Sequence, residues 1–150
     1  MGCILAIDYG TKRIGLAISD EERNFAFPFD VIENKNFNYV LDCFKNIIQE
    51  KEIDLILVGI PYGMTPQSKD GTSNKKSMEE VVCDFVKKMQ NKLNVDIQVI
   101  DEKLSSFIAE ENLRESGLNA KSARRFVDQE AARLLLEEFI QKSKKPHKMD

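Results

Sequence analysis

The stretch Asp54-Leu55-Ile56-Leu57-Val58-Gly59-Ile60 is an almost uninterrupted apolar run, halted by Pro61. A run of this length without alternation suits a parallel strand covered on both faces, so it demands a sheet with helices above and below. The rest of the chain supplies both. Cys3-Ile4-Leu5-Ala6-Ile7 is a second short apolar segment, ending at Asp8, and Tyr9-Gly10-Thr11-Lys12 reads as a turn into Arg13-Ile14-Gly15-Leu16-Ala17-Ile18-Ser19. Together they predict a hairpin. A weaker extended segment covers about Phe25 to Ile32, and Pro28 assigns it to a sheet edge.

Helical spacing governs much of the remainder. Phe37, Val40, Leu41, Phe44, Ile47 and Ile48 recur every three or four residues and predict a helix ending near Lys51. Ser77 and Glu80 form a capping box opening a second helix, with Val81, Val82, Phe85 and Met89 as its apolar stripe. Asp96 to Ile100 is another strand, closing at Asp101-Glu102. Ser105 or Ser106 caps a third helix that Gly117 stops, and a last helix runs from near Ser122 to about Gln141. Tyr62 to Lys76, rich in Gly, Pro, Ser, Asn and Lys, is the one long loop. The expectation is an α/β fold, one mixed five-stranded sheet with helices on both faces. With no repeat and no internal boundary, residues 1–142 read as a single domain and 143–150 as a flexible basic tail.

Several function classes are excluded early. A chain of 150 residues buries roughly 68–70% of its unfolded surface, enough for a core without staples. No apolar run approaches the roughly 18 residues of a membrane span, and Met1-Gly2-Cys3 leads straight into a strand, so a cytoplasmic location is expected. The single histidine, His147, sits among terminal lysines, which removes triads and zinc-protease chemistry. Cys3, Cys43 and Cys83 are spaced forty apart, so no Cys-x-x-Cys pair exists. Chemistry must therefore come from carboxylates, basic side chains, hydroxyls, backbone amides or a bound metal. A net charge of −3 does not advertise nucleic-acid binding, so any such function must rest on local basic patches.

Three acidic positions stand out. Asp8 ends a strand ahead of Gly10, at the carboxyl edge where open α/β sheets place ligands, although a turn aspartate would look the same. Asp101 and Glu102 end another strand; alternation lets only one of them share a face with a given partner, and periodicity leaves open which. Asp128 lies on the helical stripe of Ala131, Ala132, Leu135 and Phe139, where a carboxylate must be paired, hydrogen-bonded or metal-bound, or else gain from the start of its helix. If the Cys3–Ile7 and Asp96–Ile100 strands are neighbours, about 4.8 Å apart, these acids match the scale of a two-metal site. Oxygen-only ligands favour Mg²⁺ or Mn²⁺ over zinc.

The segment Ile7-Asp8-Tyr9-Gly10-Thr11-Lys12-Arg13-Ile14-Gly15, with Ala17 and Ser19-Asp20, resembles the opening motif of the bacterial YqgF/RuvX family. Val58-Gly59-Ile60-Pro61, Asp101-Glu102-Lys103-Leu104-Ser105-Ser106 and Val127-Asp128 with Ala131-Ala132 and Leu134-Leu135 agree in the same order. Each motif is weak, but the ordered set spans nearly the whole chain. The resemblance implies an RNase H-like fold and a metal-dependent endonuclease acting on structured nucleic acid. The favoured substrate is the 5′ end of pre-16S rRNA, with Holliday-junction resolution as the alternative. It implies metal ligands at Asp8, Glu102 and Asp128, choosing Glu102 over Asp101. Lys12, Arg13, Lys103, Arg124 and Arg125 would contact backbone phosphates. Two departures stand against the family pattern. Lys103 replaces the usual Arg and lacks its bidentate fork, and the Met64–Val81 connection is longer than usual.

Two other readings compete. Asp8-Tyr9-Gly10-Thr11 also resembles the first phosphate hairpin of actin-like ATPases and sugar kinases, but those need two such lobes and this chain supplies one. A nucleic-acid-binding module without chemistry is the other, against which all three acids are present.

Overall fold

The computed structural model describes residues 2–60, 78–101 and 120–144. Its elements are β1 (Cys3–Asp8), β2 (Arg13–Ser19), β3 (Ala26–Glu33), α1 (Phe37–Lys51), β4 (Ile53–Ile60), α2 (Met78–Lys92), β5 (Asp96–Asp101) and α3 (Ala120–Lys144). The expected Tyr62–Lys76 loop and the helix beginning at Ser105 or Ser106 fall outside the described residues. Among those described, no helix is long and apolar enough to cross a membrane.

The strands form one sheet in the order β3-β2-β1-β4-β5. β1, β2 and β3 pair antiparallel, while β4 and β5 run parallel to β1. β1 and β5 are therefore not neighbours, contrary to the spacing considered from the sequence. β4 lies between them, so their ends stand about 9–10 Å apart. The reason is burial. Every residue of β4 except Asp54 is buried, and only an interior strand covers both faces. In β5, Asp96, Gln98 and Val99 are exposed, which suits an edge.

Two apolar layers flank the sheet. On one face Leu5, Ile7, Leu16, Ile56 and Val58 pack with Val40 and Phe44 of α1 and Val82, Phe85 and Met89 of α2. On the other, Ile4, Ala6, Ala17, Leu55 and Leu57 meet Ala132, Leu136 and Ile140 of α3. The small residues on this second face let α3 lie close across β1, β2 and β3. α1 starts at Asn36, whose side chain accepts from the Tyr39 N–H at 2.8 Å, and ends at Glu52 in the left-handed region (φ 53°).

Motif residues away from the strand tips hold the frame. Ser19 is buried, and its hydroxyl accepts from the Ile4 N–H at 2.8 Å, tying β2 to β1. Asp20 Oδ1 accepts from the N–H groups of Asn24 and Phe25, both at 2.8 Å, and so shapes the turn into β3. At the amino-terminal edge, Asp54 accepts from the Gly2 N–H at 2.9 Å and pairs with Arg23. Partial burial pushes the Asp54 carboxyl up, but the Gly2 N–H and the Arg23 guanidinium outweigh it and hold the group below the ordinary aspartate range.

A carboxyl lowered in the folded state contributes stability above its unfolded value, and that contribution is lost as pH falls through the folded value. Asp54→Asn is expected to cost about 1 kcal/mol or less at pH 7, because the Asp54 side chain is 47% exposed. The gap between wild type and variant should close progressively below about pH 4 in a denaturation series.

Candidate functional site

The carboxyl edge of β1 is shaped first by its turn. A Cβ on Gly10 would meet the Arg13 carbonyl oxygen at 2.3 Å, so only glycine permits this close a return of the chain. Asn34 fixes the same turn: its side-chain amide donates to the Gly10 oxygen at 2.9 Å, and its backbone N–H donates to the Lys12 oxygen at 2.9 Å. Asp8 then stands at the strand end, leading into a turn held by Asn34.

Alternation places Asp8 on the α3 face, following Ile4 and Ala6. Its register partner on β2 is Gly15, and Gly59 follows Val58, the β4 partner of Ile7. In its row of the sheet Asp8 is thus flanked by two glycines, Gly15 and Gly59. α3 comes down on this row. A Cβ on Gly15 would lie 1.9 Å from the Asp128 carbonyl oxygen and 3.1 Å from its Cα. Facing positions on paired strands have Cβ atoms about 4.5–5.5 Å apart, so the backbones of Asp8 and Asp128 lie within roughly 9 Å of each other. Ala131, Ala132 and Leu135 are buried as their stripe predicts, and the Asp128 side chain, on the same stripe, is only 19% exposed.

The same pleat brings Arg13 to this side of the sheet, two residues before Gly15. Its Nε donates to Asp128 Oδ2 at 2.7 Å. Arg13, expected from the sequence to contact phosphate, is therefore paired with a candidate ligand. The signal for this was in the sequence, since Arg13 and Gly15 share strand parity, but the proximity of α3 was not.

Lys12 is exposed on the turn. Arg124 and Arg125 lie in the early turns of α3, with their side chains outside the described residues. Glu102 and Lys103 are also outside. β5 ends with Ile60 paired to Asp101 and Gly59 paired to Ile100. Ile100 packs in the α3-side layer, so position 101 has the parity of the opposite face from Asp8. Among the described residues no group of three acidic, histidine or cysteine side chains suited to a metal is found; Asp8 and Asp128 are the two that converge.

Comparison with known proteins follows the same outline. The family model described as "RuvX: Holliday junction resolvase" matches residues 2–142. A protein of Maridesulfovibrio salexigens named "Putative pre-16S rRNA nuclease" is 33% identical over 137 residues, covering 91% of this chain and 96% of its own. A protein of the same name from Halothermothrix orenii is 33% identical over 144 residues, covering 96% and 98%. Among solved structures, Thermus thermophilus RuvC in complex with a Holliday junction substrate is similar with a TM-score of 0.56 at 12% identity, covering 96% of this chain and 97% of its own. Fowlpox virus resolvase with Holliday junction DNA is similar at 0.52 and 13% identity, covering 95% and 99%. These two likenesses show the fold, an RNase H-like sheet of the resolvase type.

The Gly15 contact yields a direct test. Gly15→Ala must push α3 off β2, an overpacking expected to cost roughly 1–3 kcal/mol in equilibrium unfolding. Because the shift moves the backbone of Asp128, the Arg13–Asp128 pair should be disturbed with it, so Arg13→Ala should cost less stability in Gly15→Ala than in wild type.

Proposed function

This chain belongs to the RuvX family, and from that premise we propose that it is a divalent-metal-dependent endonuclease that trims the 5′ end of pre-16S rRNA in the cytoplasm. The single observation that carries the reading is the convergence of Asp8 and Asp128 on one face, enforced by the Gly15–Asp128 backbone contact. The donor set fits Mg²⁺ or Mn²⁺: both groups are carboxylates from separate elements, which suit hard cations, and the sheet positions on either side of Asp8 are glycines. A cationic group, the Arg13 guanidinium, already rests on Asp128, so the site is electrostatically suited to positive charge. The relatives' name supports rRNA as the substrate.

Asp8, Asp128 and Glu102 would hold the metal. The parity of position 101 supports Glu102 rather than Asp101 as the third ligand. Bound divalent ions would supply an activated water and stabilise the leaving oxygen of a phosphodiester. The chain's own part is to orient the scissile phosphate. Lys12 on the exposed turn would contact the substrate backbone, and Arg124 and Arg125, from the early turns of α3, would join it, supplying local positive charge on a chain of net charge −3. Lys103 would join them as a point charge.

The assay is cleavage of an RNA carrying the 16S leader, with and without Mg²⁺, run beside a four-way DNA junction. Asp8→Asn and Asp128→Asn are each expected to lower the rate by at least roughly 100-fold, the range lost when metal sites are disturbed. Equal cleavage by wild type and Asp8→Asn would mean a contaminating nuclease and would remove the mechanism. Faster cutting of the junction than of the RNA would transfer the reading to resolvase activity.

A further inference from the structure

The pairing of Arg13 with Asp128 is unexpected for a residue meant only to grip phosphate, and its form is informative. One N–H, Nε, meets one carboxylate oxygen at 2.7 Å, and no other partner of Arg13 is found among the described residues. A strong arginine–carboxylate bond uses two parallel N–H groups. The side chains are 34% and 19% exposed, so the pair is an exchangeable one rather than a buried strut. Nor does Asp128 need Arg13 to stay in place. Its backbone abuts Gly15, and Ala131, Ala132 and Leu135 anchor the following turns of α3 in the core.

What the pair does accomplish is electrostatic. α3 carries the Asp128 carboxylate over the sheet row of Asp8, and the Arg13 guanidinium offsets its charge there. We infer that Arg13 is the internal counter-ion of Asp128: it competes with a divalent cation for that carboxylate, and once displaced it is free to bind a substrate phosphate. This rests on the metal-site reading above and adds an order to it, cation before nucleic acid. The guanidinium fork suits phosphate, and the residue stands beside exposed Lys12 on the same turn. Because coupling of two binding events is reciprocal, nucleic acid should also tighten the cation.

The test measures Mn²⁺ affinity by electron paramagnetic resonance of the free ion for wild type, Arg13→Gln, Arg13→Lys and Asp128→Asn. Arg13→Gln should bind Mn²⁺ roughly fivefold tighter, the equivalent of a partly exposed pair worth about 1 kcal/mol. Arg13→Lys, which keeps the charge, should stay nearer wild type, and Asp128→Asn should bind far more weakly. Melting curves provide a second readout. Arg13→Gln should melt lower without cation and gain more from saturating Mn²⁺ than wild type does. In anisotropy titrations of a short RNA with Ca²⁺ in place of Mg²⁺, wild-type affinity should rise with the cation, and Arg13→Gln should lose most of that rise. Equal or weaker Mn²⁺ binding by Arg13→Gln would overturn the counter-ion role while leaving the carboxylate site standing, as would equal tightening by Gln and Lys. No Mn²⁺ binding by wild type would remove the metal reading and this inference with it.

Discussion

The approach of α3 to β2 at Gly15 is the contact on which the rest of the site depends. A helix and a sheet that meet through ordinary side chains are held apart by the bulk of both, which keeps a short aspartate on the helix away from one at a strand tip. Here a missing Cβ on the strand and the pair Ala131-Ala132 on the helix remove the intervening bulk. The Asp128 backbone then settles directly over the residue that pairs with Asp8. Glycine at position 15 is a structural requirement with a chemical consequence, since the same absence of a side chain brings two acids to one place.

The strand order sets the second constraint. β4 occupies the interior because its residues are apolar toward both layers, and it thereby separates β1 from β5 by one strand. In a site drawing on both strands, the gap has to be left clear, and Gly59 in the row beside Asp8 does so. The antiparallel half of the sheet contributes differently. Its turn, closed by Gly10 and Asn34, brings Lys12 and Arg13 to the same edge as Asp8. One edge of one sheet therefore carries acid from β1 and α3 and base from the β1–β2 turn. The opposite edge is occupied with holding the chain together through Gly2, Arg23 and Asp54.

Charge at the site is balanced locally rather than by the chain as a whole. The net charge of −3 says little about a surface on which a guanidinium rests on an aspartate 2.7 Å away. Basic and acidic groups placed together in this way can accept either a cation or a phosphate. On the exchange proposed above, which one they accept would depend on what is already bound, a dependence that belongs to the arrangement rather than to any single residue.

Much of the frame was legible in the sequence because it depends on burial periodicity. The apolar run of β4, the hairpin around Gly10, the edge character imposed by Pro28, the α1 stripe and the buried side of α3 containing Asp128 all follow from which residues avoid water. Two things were not legible. Strand adjacency is decided by how helices cover both faces of the sheet, and local pattern does not encode it; hence β4, not β5, lies beside β1. The partner of Arg13 was equally hidden, because 115 residues separate it from Asp128 and only the crossing of α3 over Gly15 brings them together. The sequence by itself determined which side chains must be buried and which acids stand at element ends; the tertiary structure decided which of those acids meet, because charges at distant chain positions interact only after packing has removed the distance between them.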